Sequence, residues 1–147
     1  MKTKLFSLAL LLFTIVFSAC SNDDENNAVA PPVGTNAGFT WSENGGAVMT
    51  ADVVYFESAY NTIKASKGTR GAADFKFVEI NLAAATPATY AIGSGNAVGT
   101  LAGYGATAGN IVVTSNASGK MSGTVTSTGS GASTTKLDAT FTDIEVR

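Results

Sequence analysis

Asn110-Ile111-Val112-Val113-Thr114-Ser115 is followed by Asn116-Ala117-Ser118-Gly119 and then, after one lysine, by Met121-Ser122-Gly123-Thr124-Val125-Thr126-Ser127. The outer blocks carry β-branched residues, which suit a pleated, half-buried surface. The central block is Asn, Ala, Ser and Gly, residue types that tolerate the positive φ a tight reversal needs. Together they predict two antiparallel strands joined by a hairpin turn. Thirteen Ser or Thr residues lie between positions 105 and 135. The apolar positions Ile111, Val113 and Val125 argue that part of this region is strand, with Thr on its solvated side.

The same grammar extends outward. Phe39-Thr40-Trp41-Ser42 precedes the turn signal Asn44-Gly45-Gly46. Strands are expected over 47–56, 60–65, 73–82, 89–92, 97–104 and 137–146, with loops at 66–71 and 127–135. Over 35–147 Gly, Thr, Ser, Ala and Val are abundant and Leu, Glu and Lys scarce, which favours strands over helices. Eight or nine short strands at this spacing predict an all-β domain, an antiparallel β-sandwich. Val53, Phe56, Tyr60 and Ile63 fall at near-helical spacing, so 51–64 is either two strands or a helix; its β-branched and aromatic content favours two strands. Two strands change phase. Phe75 and Phe77 give way to Val78, Ile80 and Leu82, and Leu137, Ala139 and Phe141 give way to Ile144 and Val146. Each change implies a β-bulge, a strand passing between sheets, or burial on both faces.

The chain begins with Lys2 and Lys4, an apolar run from Leu5 to Phe17, and Ser18-Ala19-Cys20. The run is short for a membrane span, which needs about 20 residues, and suits the core of an export signal. Cys20 is the single cysteine, placed as in a lipoprotein signal, where the thiol is acylated and the chain cut before it. The other reading is an ordinary secretory signal that leaves a free thiol, an unfavourable outcome in an oxidising compartment. Ser21-Asn22-Asp23-Asp24-Glu25-Asn26-Asn27 follows as an acidic, polar tether, and Ala28 to Gly34, with Pro31-Pro32, finishes the linker as a stiffer spacer. The expected organisation is a signal peptide over 1–19, a lipidated Cys20 with an acidic and Pro-containing linker over 20–34, and a β domain over 35–147.

Six blocks carry a family resemblance. They are Phe39-Thr40-Trp41 with Asn44-Gly45-Gly46 and Ala51-Asp52; Asn61-Thr62-Ile63-Lys64-Ala65; Phe77 to Leu82 with Thr89-Tyr90-Ala91-Ile92-Gly93; Gly109-Asn110-Ile111-Val112-Val113-Thr114; Lys120-Met121-Ser122-Gly123-Thr124; and Ala139-Thr140-Phe141-Thr142-Asp143-Ile144. In this order they resemble a family of small, uncharacterised lipoproteins of Bacteroidota, especially flavobacteria. The chain departs from that pattern at Ala88, where Gly is usual, and at Val125, where Phe is frequent. The resemblance implies an all-β lipoprotein and brings no catalytic residue with it. The acidic stretch Ser21 to Glu25 is similar to the export signal that sends such lipoproteins to the outer face of the outer membrane.

The chain contains no histidine and one cysteine. Ser-His-Asp and Cys-His catalysis and histidine-based zinc sites are therefore outside its chemistry. A pair of carboxylates such as Asp52 and Glu79 is the remaining catalytic arrangement, and eight acids in a domain bring some pair within range by chance. No Asp-x-Asp-x-Asp run offers a calcium loop. Gly93-Ser94-Gly95 lacks the lysine and helix of a phosphate loop. Without Lys2 and Lys4, seven basic residues face eleven acidic ones, so no basic face points to nucleic acid. Lys64, Lys67 and Arg70 are either solvated turn charges or a contact for an acidic glycan. Trp41 shares a side with Phe39 and is a core residue or a ligand platform. Tyr104, between two glycines, is expected to be exposed and is the leading ligand contact.

The functional expectation is an outer-membrane lipoprotein held by lipid on Cys20 and exposed at the cell surface, with a periplasm-facing orientation as the alternative. It is not expected to be an enzyme and requires no cofactor or metal. Its domain is expected to be a non-catalytic module that binds a glycan or an envelope protein. The alternative is a structural or accessory envelope lipoprotein with no small ligand.

Overall fold

The computed structural model describes residues 38–147. The signal peptide, Cys20 and Ser21 to Glu25 lie outside the described residues. Ten strands follow in chain order: β1 (Gly38–Glu43), β2 (Met49–Thr50), β3 (Val53–Glu57), β4 (Thr62–Lys67), β5 (Lys76–Asn81), β6 (Ala88–Ala91), β7 (Ala97–Thr100), β8 (Gly105–Ala117), β9 (Lys120–Ser130) and β10 (Lys136–Glu145). All pair antiparallel in one sheet of order β2-β1-β10-β9-β8-β7-β5-β4-β3, with β6 on β8. The sheet curls into a half-barrel. The curl brings β3 beside the end of β10, where Phe56 bridges Val146 and Arg147 N donates to Phe56 O.

The hairpin of 110–127 is the centre of the sheet. Its turn is Ser118-Gly119, with φ of 53° and 74°, the two positive values that match the twist of the flanking strands. The expected Asn44-Gly45 turn has the same signature, at 54° and 71°. Asn44 also holds the segment after β9. Its Oδ1 accepts from Thr135 N and Lys136 N, and its Nδ2 donates to Ser133 O at 2.7 Å. This corrects the loop expected over 127–135: β9 runs on to Ser130 and the remainder is pinned.

Bulges bend the long strands. On β10, Phe141 faces Gly123 but Ile144 faces Met121, so three steps oppose two. Asp143 takes the strain at φ 48°, and its N–H finds Ser122 Oγ at 2.8 Å. The phase change at Leu137 to Val146 is therefore a β-bulge, and it keeps Phe141 and Ile144 both in the core. β8 bulges between Ala106 and Ala108 and again between Val113 and Ser115. At Gly123 the strands close up: a Cβ there would lie 2.1 Å from Val112 O and 2.4 Å from the Phe141 ring. The Phe141 ring covers that bare stretch of backbone.

The phase change on β5 has the other explanation. Its register against β4 is unbroken from Lys67↔Lys76 to Thr62↔Asn81. Val78, Ile80 and Leu82 enter the core while Phe75 and Phe77 are half-buried, so apolar residues occupy both phases of one unbroken strand. The segment 51–64 is two strands, not a helix. A 3₁₀ turn, Ser58–Tyr60, reverses the chain and Asn61 closes it at φ 50°. Phe56 and Ile63 then face each other across β3 and β4 in the core, whereas Tyr60 is 72% exposed. The strand expected over 47–56 is split, because β2 pairs with β1 and β3 with β4. Ala51 N bonds Phe39 O and Asp52 N bonds Ser66 O, so these two residues carry the chain between the sheet's two ends.

On the outer surface Lys64 pairs with Glu57. The hydrogen bond that Lys64 Nζ donates to the Glu57 carboxylate holds the ammonium above its ordinary pKa, against a smaller opposing effect of burial. A lysine whose folded pKa is raised stabilises fully below its unfolded value, and that contribution fades as pH climbs through the higher folded value. Raising pH from 9 to 12 is expected to lower the urea midpoint of the native protein more than that of Glu57→Gln. The difference corresponds to less than about 1 kcal/mol, since both side chains are partly solvated. Equal losses in the two proteins would show that the pair contributes nothing.

Candidate functional site

Trp41 is 1% exposed and packs on Phe39, ring centroids 5.9 Å apart. Its side chain is buried in the core, and the residue also borders a depression over β1, β9 and β10. Tyr104 is 3% exposed, which corrects the expectation that it stands out from the surface. β7 stops at Thr100, and Gly103 N donates to Thr100 O while Thr100 N donates to Tyr104 O. This tight turn sends Tyr104 back inward. Its hydroxyl meets Ser127 Oγ at 2.9 Å, and Ser127 Oγ donates to Leu137 O at 2.8 Å. The chain approaches so closely here that a Cβ on Gly131 would lie 2.8 Å from Tyr104 Cα. Of the flanking glycines, Gly103 serves the turn through its φ of 87° and neither it nor Gly105 is crowded; the close packing comes from Gly131 across the chain.

The expected charge groupings are dispersed. Asp52 accepts from Gly68 N at 2.7 Å, while Glu79 accepts from Asn81 Nδ2 at 3.1 Å and faces Lys64 across the sheet. Lys64 belongs to Glu57, and Lys67 Nζ lies 3.5 Å from Thr50 O. Among the described residues no three His, Cys, Asp or Glu side chains gather as metal ligands, and no helix is long and apolar enough to cross a membrane.

What the fold does assemble is a cavity of about 300 Å³. Glu43 supplies one wall from the end of β1, and Phe75, Lys76 and Phe77 another from the start of β5. Thr100 and Leu101 close it from the turn after β7, with 71–73 at the rim. Leu101 is 66% exposed, a large apolar side chain left in water at the mouth. Glu43 is fixed from behind. Trp41 Nε1 donates to its Oε1 at 3.3 Å and Thr134 Oγ1 to its Oε2 at 3.2 Å. Lys76 Nζ stands 3.7 Å from Oε2, an ion pair too long for a hydrogen bond. Trp41 thus positions a wall of the cavity through Glu43 without entering it.

The sequence reading did not single out this group. Its one signal was the pair Phe75 and Phe77, out of phase with the core residues of their own strand. A second, more open depression over β1, β9 and β10 is lined by Thr40, Ser42, Thr124, Thr126, Asp138 and Thr140. Asp138 Oδ1 is buried there without a hydrogen-bond partner, while Oδ2 holds Lys136 at 2.7 Å. A scan against protein-family models finds no match to the chain, and searches of the curated proteins and of the solved structures find none either. The functional reading therefore rests on the site and the sequence.

Proposed function

We propose that this chain is an outer-membrane, surface-exposed lipoprotein, anchored by lipid on Cys20, whose β domain is a non-catalytic module that binds a glycan through the cavity at Phe75, Phe77 and Leu101. The anchor is supported by the apolar run ending in Ser18-Ala19-Cys20, the surface location by Ser21 to Glu25, and membership of the Bacteroidota lipoprotein family by the six ordered blocks. Several acyl chains, at about 0.8 kcal/mol per buried CH₂, hold such a protein to the bilayer durably. We read the two limbs of the curled sheet as the facing layers of a sandwich around one core.

The observation that carries the binding role is an apolar cavity with a few convergent polar groups. Half-buried Phe75, just ahead of β5, and exposed Leu101 offer apolar contact to the C–H face of a sugar ring, with Glu43 and Lys76 among the other lining residues. Glu43 ends β1 and Gly38 begins it, so the wall of the cavity lies roughly 17 Å along the strand from the point where the tether enters. That geometry favours a ligand approaching from outside the membrane.

The test is a glycan array with the purified mature chain, beside Leu101→Ser and Tyr60→Ser. Both residues are exposed, so both variants should fold as the native protein does. Binding is expected to fall at least about tenfold in Leu101→Ser and to stay unchanged in Tyr60→Ser. Absence of any glycan ligand, or equal binding by all three proteins, would remove the proposal.

A further inference from the structure

The hydrogen-bonding groups of this cavity are unevenly used, and the imbalance specifies the ligand. Glu43, the acceptor on the wall, already receives the Trp41 indole N–H and the Thr134 hydroxyl. Its charge is also countered by Lys76 at 3.7 Å. A sugar hydroxyl seeking an acceptor here must compete with donors built into the fold. The donors are in the opposite condition. Lys76 carries three N–H groups, its nearest carboxylate oxygen is beyond hydrogen-bond range, and its side chain is 41% exposed. Thr100 Oγ1 accepts from Tyr104 N at 3.3 Å, which leaves its hydroxyl proton to donate. Arg70, exposed and next to Gly71 of the rim, forms no ion pair among the described residues.

We infer that the ligand is an anionic saccharide, with its ring against Phe75 and Leu101 and its acidic group on Lys76. The inference rests on the binding role proposed above and adds the sign of the ligand's charge. A donor-rich, acceptor-poor site discriminates in favour of ligands that bring acceptors, because an anion gains charge-assisted hydrogen bonds that a neutral hydroxyl does not. Lysine is a point charge without a planar fork, so a uronate carboxylate and a sugar sulfate satisfy it equally. The Glu43 carboxylate does not repel such a ligand strongly, since two donors and one cation already face it.

The experiment is calorimetric titration of the purified mature chain with three probes of equal length: a uronate oligosaccharide, its carboxyl-reduced neutral counterpart, and a sulfated oligosaccharide. Native protein, Lys76→Gln and Leu101→Ser are compared. The expected result is binding of one or both acidic probes, roughly 10- to 100-fold weaker binding by the reduced probe and by Lys76→Gln, and affinity that declines with salt. The acidic probe that binds identifies the source of the charge. Lys76 is exposed and loosely paired, so its substitution leaves the fold intact, which thermal melting of the variant checks. Equal binding of the neutral and acidic probes, still sensitive to Leu101→Ser, would overturn the inference and leave the cavity as the site. Acid binding untouched by Lys76→Gln would overturn it as well. No binding of any probe would overturn the inference, and the binding role would then stand or fall on the array.

Discussion

Gly123→Ala is expected to destabilise the protein by about 3 kcal/mol or more, at the upper end of what overpacking costs. The added Cβ would sit 2.1 Å from Val112 O and 2.4 Å from Phe141 Cζ. The two contacts differ in kind. A phenyl ring can rotate or be trimmed, but the Val112 carbonyl belongs to the β8–β9 ladder and cannot retreat without breaking pairing at the centre of the sheet. Phe141→Leu in the Gly123→Ala background should therefore fail to restore the urea midpoint. Gly38→Ala, where nothing lies within 4 Å of the new methyl group, should stay within about 0.5 kcal/mol of the native protein. A Gly123→Ala midpoint close to native, or recovery by the Phe141 substitution, would show that the strands do not approach as closely as described.

Gly123 also shows what a sequence carries about this fold and what it withholds. Ser118-Gly119 and Asn44-Gly45 were legible as reversals because the conformational demand acts on those residues alone. The bulge at Thr142-Asp143 was legible because it leaves an apolar pattern one residue out of step. Both are local effects. The curl is not: it follows from bulges on β8 and β10 and from a bridge between Phe56 and Val146, ninety positions apart in the chain, and no local pattern encodes that meeting. The split of 47–56 into β2 and β3 has the same origin, since only the curled sheet requires those residues to serve both ends.

The candidate site was legible in one particular. Phe75 and Phe77 broke phase with Val78, Ile80 and Leu82, and two large apolar side chains on the outer phase of a strand need a reason. Both are among the residues that line the cavity, whose other walls come from β1 and the turn after β7, distant in sequence. Trp41 was visible as core or platform. Its actual position serves the cavity from behind through Glu43, an arrangement that depends on side-chain reach. Tyr104 was misjudged because glycine neighbours have two meanings. They mark a bare, exposed stretch, or they supply a backbone conformation, as Gly103 does at φ 87° in the turn that sends Tyr104 inward; the close approach of Gly131 is invisible in the local sequence.

That reversal sets the second large effect. Tyr104→Ala is expected to cost roughly 3–5 kcal/mol, the penalty for emptying the space of a buried aromatic residue. Tyr104→Phe is expected to cost only about 1 kcal/mol, because the Ser127 proton keeps Leu137 O as its acceptor and one hydrogen bond is lost. Ser127→Ala should cost more, about 2 kcal/mol, since it leaves the Tyr104 hydroxyl buried without its partner. In the Tyr104→Phe, Ser127→Ala double variant no hydroxyl remains to be satisfied, so the two losses should fall short of additive. Urea unfolding of the four proteins measures this coupling. Additive losses would mean that the two hydroxyls do not interact. A Tyr104→Ala protein as stable as the native one would mean that Tyr104 is a surface residue after all, and the ligand-contact reading of the sequence would return with it.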